Sequence, residues 1–278
     1  MRRAAFAIAA ASVAIVAGGV SAAAAGPTTV VVTPANFATI FSAQTATPTS
    51  SDQFVVGPGT PPLGVGSLEL TTVDSAGHQQ YLERQQPPPL TTPISTINLM
   101  GYSTYRHAES TSTDPTVVAA INMEIFTNPA GSPGNQGYDT LVFEPYLNPQ
   151  TAQTVTSNTW QTWDAYQAGA AIWTSTHTIG GVAAHTQAPW STIVASNPNA
   201  VIIGYGPNQG SANPGLISNV DALKIGTSDG NSTTYDFEPP APVNTPEVPL
   251  PVLLIGIGGG LAAVATLRSR RRRSASPG

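Results

Sequence analysis

Residues 117–126 read VVAAINMEIF, and they set the fold class. Ile121, Met123 and Ile125 fall on one side of an extended chain while Asn122, Glu124 and Phe126 fall on the other, the period of two that defines a strand. One side is expected in a core and the other at least partly wet. The next ten residues, NPAGSPGNQG at 128–137, are turn-forming, and 140–146 (TLVFEPY) then supply a second strand, so the segment reads as a β-hairpin. A second, tighter hairpin runs from 222–225 through the Asp229-Gly230 turn into 233–237.

Outward from these hairpins, turn signals recur every ten or so residues and Lys, Glu and Leu are scarce. Strands are predicted at 53–56, 66–72, 97–105, 117–126, 140–146, 153–156, 159–165, 200–205, 218–225 and 233–237. One short helix is expected at 190–196, opened by Pro189 and stopped where Asn197 precedes Pro198. Roughly 215 residues between the two chain ends suit one all-β domain, a single antiparallel β-sandwich over 26–238. The chain has no cysteine, which excludes a disulfide framework, thiol catalysis and Cys-ligated zinc. No repeat of solenoid length is evident.

The chain ends speak to location. Residues 1–25 carry Arg2 and Arg3, an apolar stretch and the Ala23-x-Ala25 exit of a secretory signal peptide. Residues 250–267 (LPVLLIGIGGGLAAVATL) are uncharged and apolar. As a helix they would span about 27 Å, enough for a transmembrane anchor, and the arginines at 268 and 270–273 would keep the tail 268–278 cytoplasmic. Residues 239–249 form a proline-rich linker that favours polyproline geometry. Of the ten basic residues only Arg84, Arg106 and Lys224 lie between these ends, against all fifteen acids, so the exported body carries a formal −12. Such a surface repels nucleic acid and other polyanions and leaves neutral glycans, cations and proteins as partners.

The order Pro246-Glu247-Val248-Pro249-Leu250-Pro251, followed by the apolar span and the arginines, resembles a PEP-CTERM sorting signal in its V-P-L-P-A variant. It departs at Val252, where the variant has Ala. The resemblance implies processing by an exosortase-type transpeptidase. The body resembles uncharacterised extracellular bacterial proteins through GPGTPPLG at 57–64, WQTWD at 160–164, NVD with a following Ile-Gly at 219–226, and TTYDFE at 233–238. That likeness implies a jelly-roll or concanavalin-like sandwich and supplies no activity.

Candidate ligand-binding residues are Glu124, Glu144, Tyr146, Trp160, Trp163, Tyr166 and Trp173, since aromatic faces stack on sugar rings and carboxylates accept hydroxyl hydrogen bonds. The alternative for these aromatics is core packing. Asp221, Asp236 and Glu238 are hard oxygen donors that could hold a structural calcium ion. No catalytic residue is assigned and no other cofactor is implied. His78, His107, His177 and His185 lack zinc-site spacing, and the Gly-rich 204–215 lacks the lysine of a phosphate loop, so it reads as a loop. The functional expectation is a non-catalytic, surface-anchored component of the envelope or extracellular matrix. A glycan-binding module predicts exposed coplanar aromatics, a purely structural protein predicts buried ones and no polar-lined pocket, and a glycoside hydrolase predicts Glu124 and Glu144 facing across a cleft.

Overall fold

The computed structural model describes residues 26–77, 79–83, 92–148 and 154–241. The expected signal peptide at 1–25, most of the linker, the sorting residues 246–251, the span 250–267, the basic tail, His78 and the polyproline stretch after Arg84 lie outside them. Among the described residues no helix is long and apolar enough to cross a membrane. The chain order is β1 Pro27–Val32, α1 Phe37–Ile40, β2 Phe41–Ala46, β3 Ser50–Val56, β4 Gly66–Thr72, β5 Gln79–Glu83, β6 Ile97–Arg106, β7 Ala120–Phe126, β8 Tyr138–Phe143, β9 Trp160–Asp164, β10 Ile172–Ser175, β11 Gln187–Pro189, α2 Trp190–Ser196, β12 Val201–Gln209, β13 Ile217–Thr227 and β14 Ser232–Phe237.

The fold is all-β, with two seven-stranded sheets and few helices. The second sheet runs β11-β10-β8-β7-β12-β5-β2. Its β7–β8 hairpin pairs Ile121 with Phe143 and Phe126 with Tyr138, as the alternation predicts. The first sheet is organised by β13. Along one edge β13 pairs with β6. Along the other it pairs with β4 through Ile217–Val220 and then with β14 through Leu223–Gly226. The change of partner coincides with a register shift between Asp221 and Lys224 and a positive φ of 51° at Ala222. β3 lies outside β4, β9 outside β6, and β1 runs parallel to β14.

Residues of both sheets share one buried core, and no sulfur crosslink joins them. Phe41 of β2 meets Tyr235 and Phe237 of β14 at ring distances of 5.1 and 5.6 Å, and Tyr102 of β6 meets Phe143 of β8 at 6.2 Å. Polar ties accompany the rings. Tyr205 Oη of β12 donates to the Lys224 carbonyl, while Gln209 Nε2 donates to the Leu70 and Leu216 carbonyls and its Oε1 accepts from Ser218. Every buried polar atom so satisfied removes a desolvation cost that would otherwise oppose the core.

Several local expectations are corrected. The outward side of β7 is mostly covered: Asn122 and Glu124 are only 4 % exposed, and Phe126 at the strand end is partly exposed. Residues 204–209 are not a loop but the second half of β12, because pairing with β7 and β5 on either side overrides the turn propensity of Gly204, Gly206 and Pro207. Residues 145–147 form a 3-10 turn beginning at Pro145, and 154–156 hold no strand. β1, β2, β5, β10 and β11 are strands that the pattern did not predict. The helix at Trp190–Ser196 has the expected bounds.

Trp173 is fully buried beside Phe143 and Trp190. Trp173→Ala is therefore expected to cost about 3–5 kcal/mol. Trp160 is only half-buried, and Trp160→Ala should cost no more than about 2 kcal/mol in the same chemical denaturation experiment.

Candidate functional site

On the outward face of the first sheet, strand register places Gln53, Glu69, Asn219, Tyr105 and Trp160 in one row across β3, β4, β13, β6 and β9. Gln53 Nε2 donates to Glu69 Oε1 at 2.6 Å. His107, just beyond β6, sits with Nε2 2.6 Å from Asn219 Oδ1 and 3.5 Å from Glu69 Oε2, and with Nδ1 3.0 Å from Glu109. The Tyr105 ring bridges His107 and Trp160 at 5.2 and 5.7 Å. The rings of Tyr105 and Trp160 are tilted by 56°, so they do not form a coplanar platform.

The loop between β3 and β4 is fastened to this face from four directions. Trp160 Nε1 donates to the Pro58 carbonyl at 2.7 Å. Ser67 Oγ donates to the Gly57 carbonyl and accepts from Asn219 Nδ2. Asp221 Oδ2 accepts the Leu63 N–H at 2.9 Å while its Oδ1 accepts the Phe237 N–H at 3.2 Å. Glu238 Oε1 accepts from Val65 and Gly66. Gly64 adopts φ +50°, and a Cβ there would run into the Glu238 carboxylate, so glycine is required. The four segments 57–64, 160–164, 219–226 and 233–238 thus meet around one loop.

The carboxyls respond to this enclosure. Burial pushes Asp221, wholly inaccessible, up to about 6 despite the N–H groups it accepts. Burial and the neighbouring Glu238 carboxylate also raise Asp236, whose Oδ1 is buried without a hydrogen-bond partner. Among the described residues, no three His, Asp or Glu side chains gather so as to hold a metal ion. Asp221 and Glu238 spend oxygens on main-chain donors instead, so this geometry gives calcium no ready cage.

The candidate ligand residues are dispersed. Trp163 and Trp173 are fully buried, with Nε1 donating to Thr104 Oγ1 and to the Ala165 carbonyl, and they present no face to a ligand. Glu124 accepts from Tyr138 Oη at 2.6 Å and lies opposite Thr140 on β8. Glu144 follows the last pair of that ladder, four residues beyond Thr140, so its backbone lies about 13 Å along the strand at roughly 3.3 Å per residue. Retaining glycoside hydrolysis needs about 5–5.5 Å. Glu144 is half-buried, raised by that burial, and accepts from Tyr146 Oη, whose ring is exposed. Tyr166 is half-buried and lines a cavity of about 250 Å³ with Ser95, Ile97, Ala168 and Trp190. His107, Glu69 and Asn219 were not predicted as a group; their only sequence signal is the alternation of Tyr105 with His107.

Compared with protein-family models, curated proteins and solved structures, the chain matches none.

Asp221 has an ordinary value of 3.8 and a folded value of about 6. Between the two the folded protein keeps a proton that the unfolded chain releases, so this site's contribution is fully present below about pH 4 and is lost as pH rises through about 6. Asp74, Asp114 and Asp229, held low by turn hydrogen bonds, act in the opposite sense and only at lower pH. Through this site, unfolding free energies measured from pH 4.5 to 6.5 should fall by about 2 kcal/mol. Asp221→Asn should flatten that slope while lowering stability, because its amide places an N–H against a backbone N–H.

Proposed function

We propose that this chain is an exported β-sandwich protein of the cell envelope or extracellular matrix that acts by contact and not by catalysis. The two seven-stranded sheets sharing one core support a sandwich of jelly-roll or concanavalin-like type. The sequence of 1–25 supports export. That of 246–273 supports anchoring through a membrane helix and handling by an exosortase-type enzyme. Neutral extracellular glycans or other envelope proteins are the partners that suit a body of charge −12, and nucleic acid is not.

One observation carries the non-catalytic reading. The register of β7 and β8 sets Glu124 opposite Thr140 and leaves Glu144 past the end of the ladder, four residues on, and Glu124 is already engaged by Tyr138. A hydrolase built on this pair would need both carboxyls at one glycosidic bond.

The test has two parts. Full-length protein incubated with neutral polysaccharides should release no reducing ends above background, and Glu124→Gln and Glu144→Gln should behave like wild type. Hydrolysis abolished by either change would establish an enzyme. In cells, the protein should fractionate with the envelope, and deletion of 246–278 should release it to the medium; a wild-type protein found wholly in the cytoplasm would contradict export.

A further inference from the structure

The 3-10 turn Ile94–Thr96 separates two cavities. On one side Thr96 and Pro93 face the β13–β14 turn across about 410 Å³ lined by Thr227, Ser228, Asn231 and Ser232. On the other, Ser95 and Ile97 border the smaller cavity of about 250 Å³ that holds Tyr166, Gly169, Ser191 and Val194. The first mixes threonine and serine hydroxyls and the Asn231 amide with the apolar surfaces of Pro93 and Ile225. The second pairs the aromatic side chains of Tyr166 and Trp190 and several aliphatic ones with two serine hydroxyls. The only carboxylate in the lining, Asp229, is occupied by Thr227 Oγ1 and by the Asn231 N–H and amide, and no basic side chain lines either cavity.

The smaller cavity also has an unusual wall. Gln167, Ala168 and Gly169 take consecutive positive φ values of 47°, 53° and 88°. Only glycine adopts that region freely, so the first two residues are strained. The turn is held in place: Asp164 Oδ1 accepts the N–H of Tyr166 and of Gln167, Gln167 Nε2 returns to the Asp164 carbonyl, and Gly169 N–H closes onto the Tyr166 carbonyl. The held turn sets the backbone of Ala168 and Gly169 against the cavity beside the Tyr166 ring.

We propose that these two cavities form one groove for a short neutral oligosaccharide, one pyranose resting beside Tyr166 over the aliphatic floor and the next sharing hydroxyl hydrogen bonds with the Thr96, Thr227 and Ser232 side. A pyranose has this dual character, an apolar C–H face and a rim of hydroxyls, and a lining without basic side chains on a strongly acidic body selects against anionic chains. The inference rests on the contact reading above and names its ligand class and place.

The experiment titrates detergent-solubilised full-length protein with unmodified oligosaccharides of glucose, galactose, mannose and N-acetylglucosamine, two to four units long, by calorimetry. At least one series should bind. Tyr166→Ala should weaken it at least about tenfold. Ser95→Trp and Ser228→Trp change exposed positions and block the groove from its rim without entering the core, so each should abolish binding with an unchanged melting temperature. Binding that survives both tryptophan variants would overturn the groove and leave a glycan-contact protein with its site elsewhere. Silence toward every neutral series, or binding of charged chains alone, would overturn the proposal while leaving the structural envelope reading intact.

Discussion

The buried carboxylate of Asp221 is the point on which the first sheet turns. β13 is long enough to serve two different neighbours along one edge, and where β4 gives way to β14 nearby main-chain N–H groups take a side-chain acceptor. Asp221 supplies acceptors to two of them, Leu63 from the β3–β4 loop and Phe237 at the end of β14. Burying the carboxyl penalises its charged form, which is why burial lifts it to about 6, and the two donors offset part of that penalty. The same contact fixes the loop, which Trp160, Ser67 and Glu238 then fasten from other sides.

Fastening of this kind ties a loop to a sheet without a crosslink, in a chain that has no cysteine. Three of the four tryptophans, Trp163, Trp173 and Trp190, are in the core, so the indole content of the chain is mainly spent on cohesion and Trp160 alone among them is half-buried. Buried Arg106 follows the same logic: its guanidinium is satisfied by the Val117 carbonyl and Ser157 Oγ, pinning the long connection between β6 and β7. Asp139, also inaccessible, gathers the N–H groups of Thr176 and His177. Polar residues that resemble site chemistry in isolation are here tying loops to sheets.

The sequence was legible where structure is local. β7, β8, β13, β14 and α2 follow from alternation, turn residues and proline placement that neighbours in the chain dictate. The second half of β12 was not, because Gly204, Gly206 and Pro207 carry turn chemistry and become a strand only between β7 and β5. The burial of Glu124 was hidden for a related reason: alternation names two faces of a strand and cannot say that both are covered. The fork at Asp221 needs three segments far apart in the chain, yet the four sequence patterns that drew notice, 57–64, 160–164, 219–226 and 233–238, are the ones that converge there. Their shared role is geometric, which no spacing within one segment can express.

A body whose carboxylates and indoles hold its own loops is suited to presenting a stable surface, and that claim stands or falls with the Asp221 contacts. The most direct measurement is amide hydrogen exchange at Leu63 and Phe237 in the wild-type protein and in Asp221→Ala under native conditions. Both amides should exchange as slowly as those of β13 in the wild type and far faster in the variant, with protection lost across residues 57–66 while the β7–β8 hairpin keeps its own. Equal protection in the two proteins would show that the carboxylate does not hold the fork, and the explanation of how the first sheet and its loop are locked would be wrong.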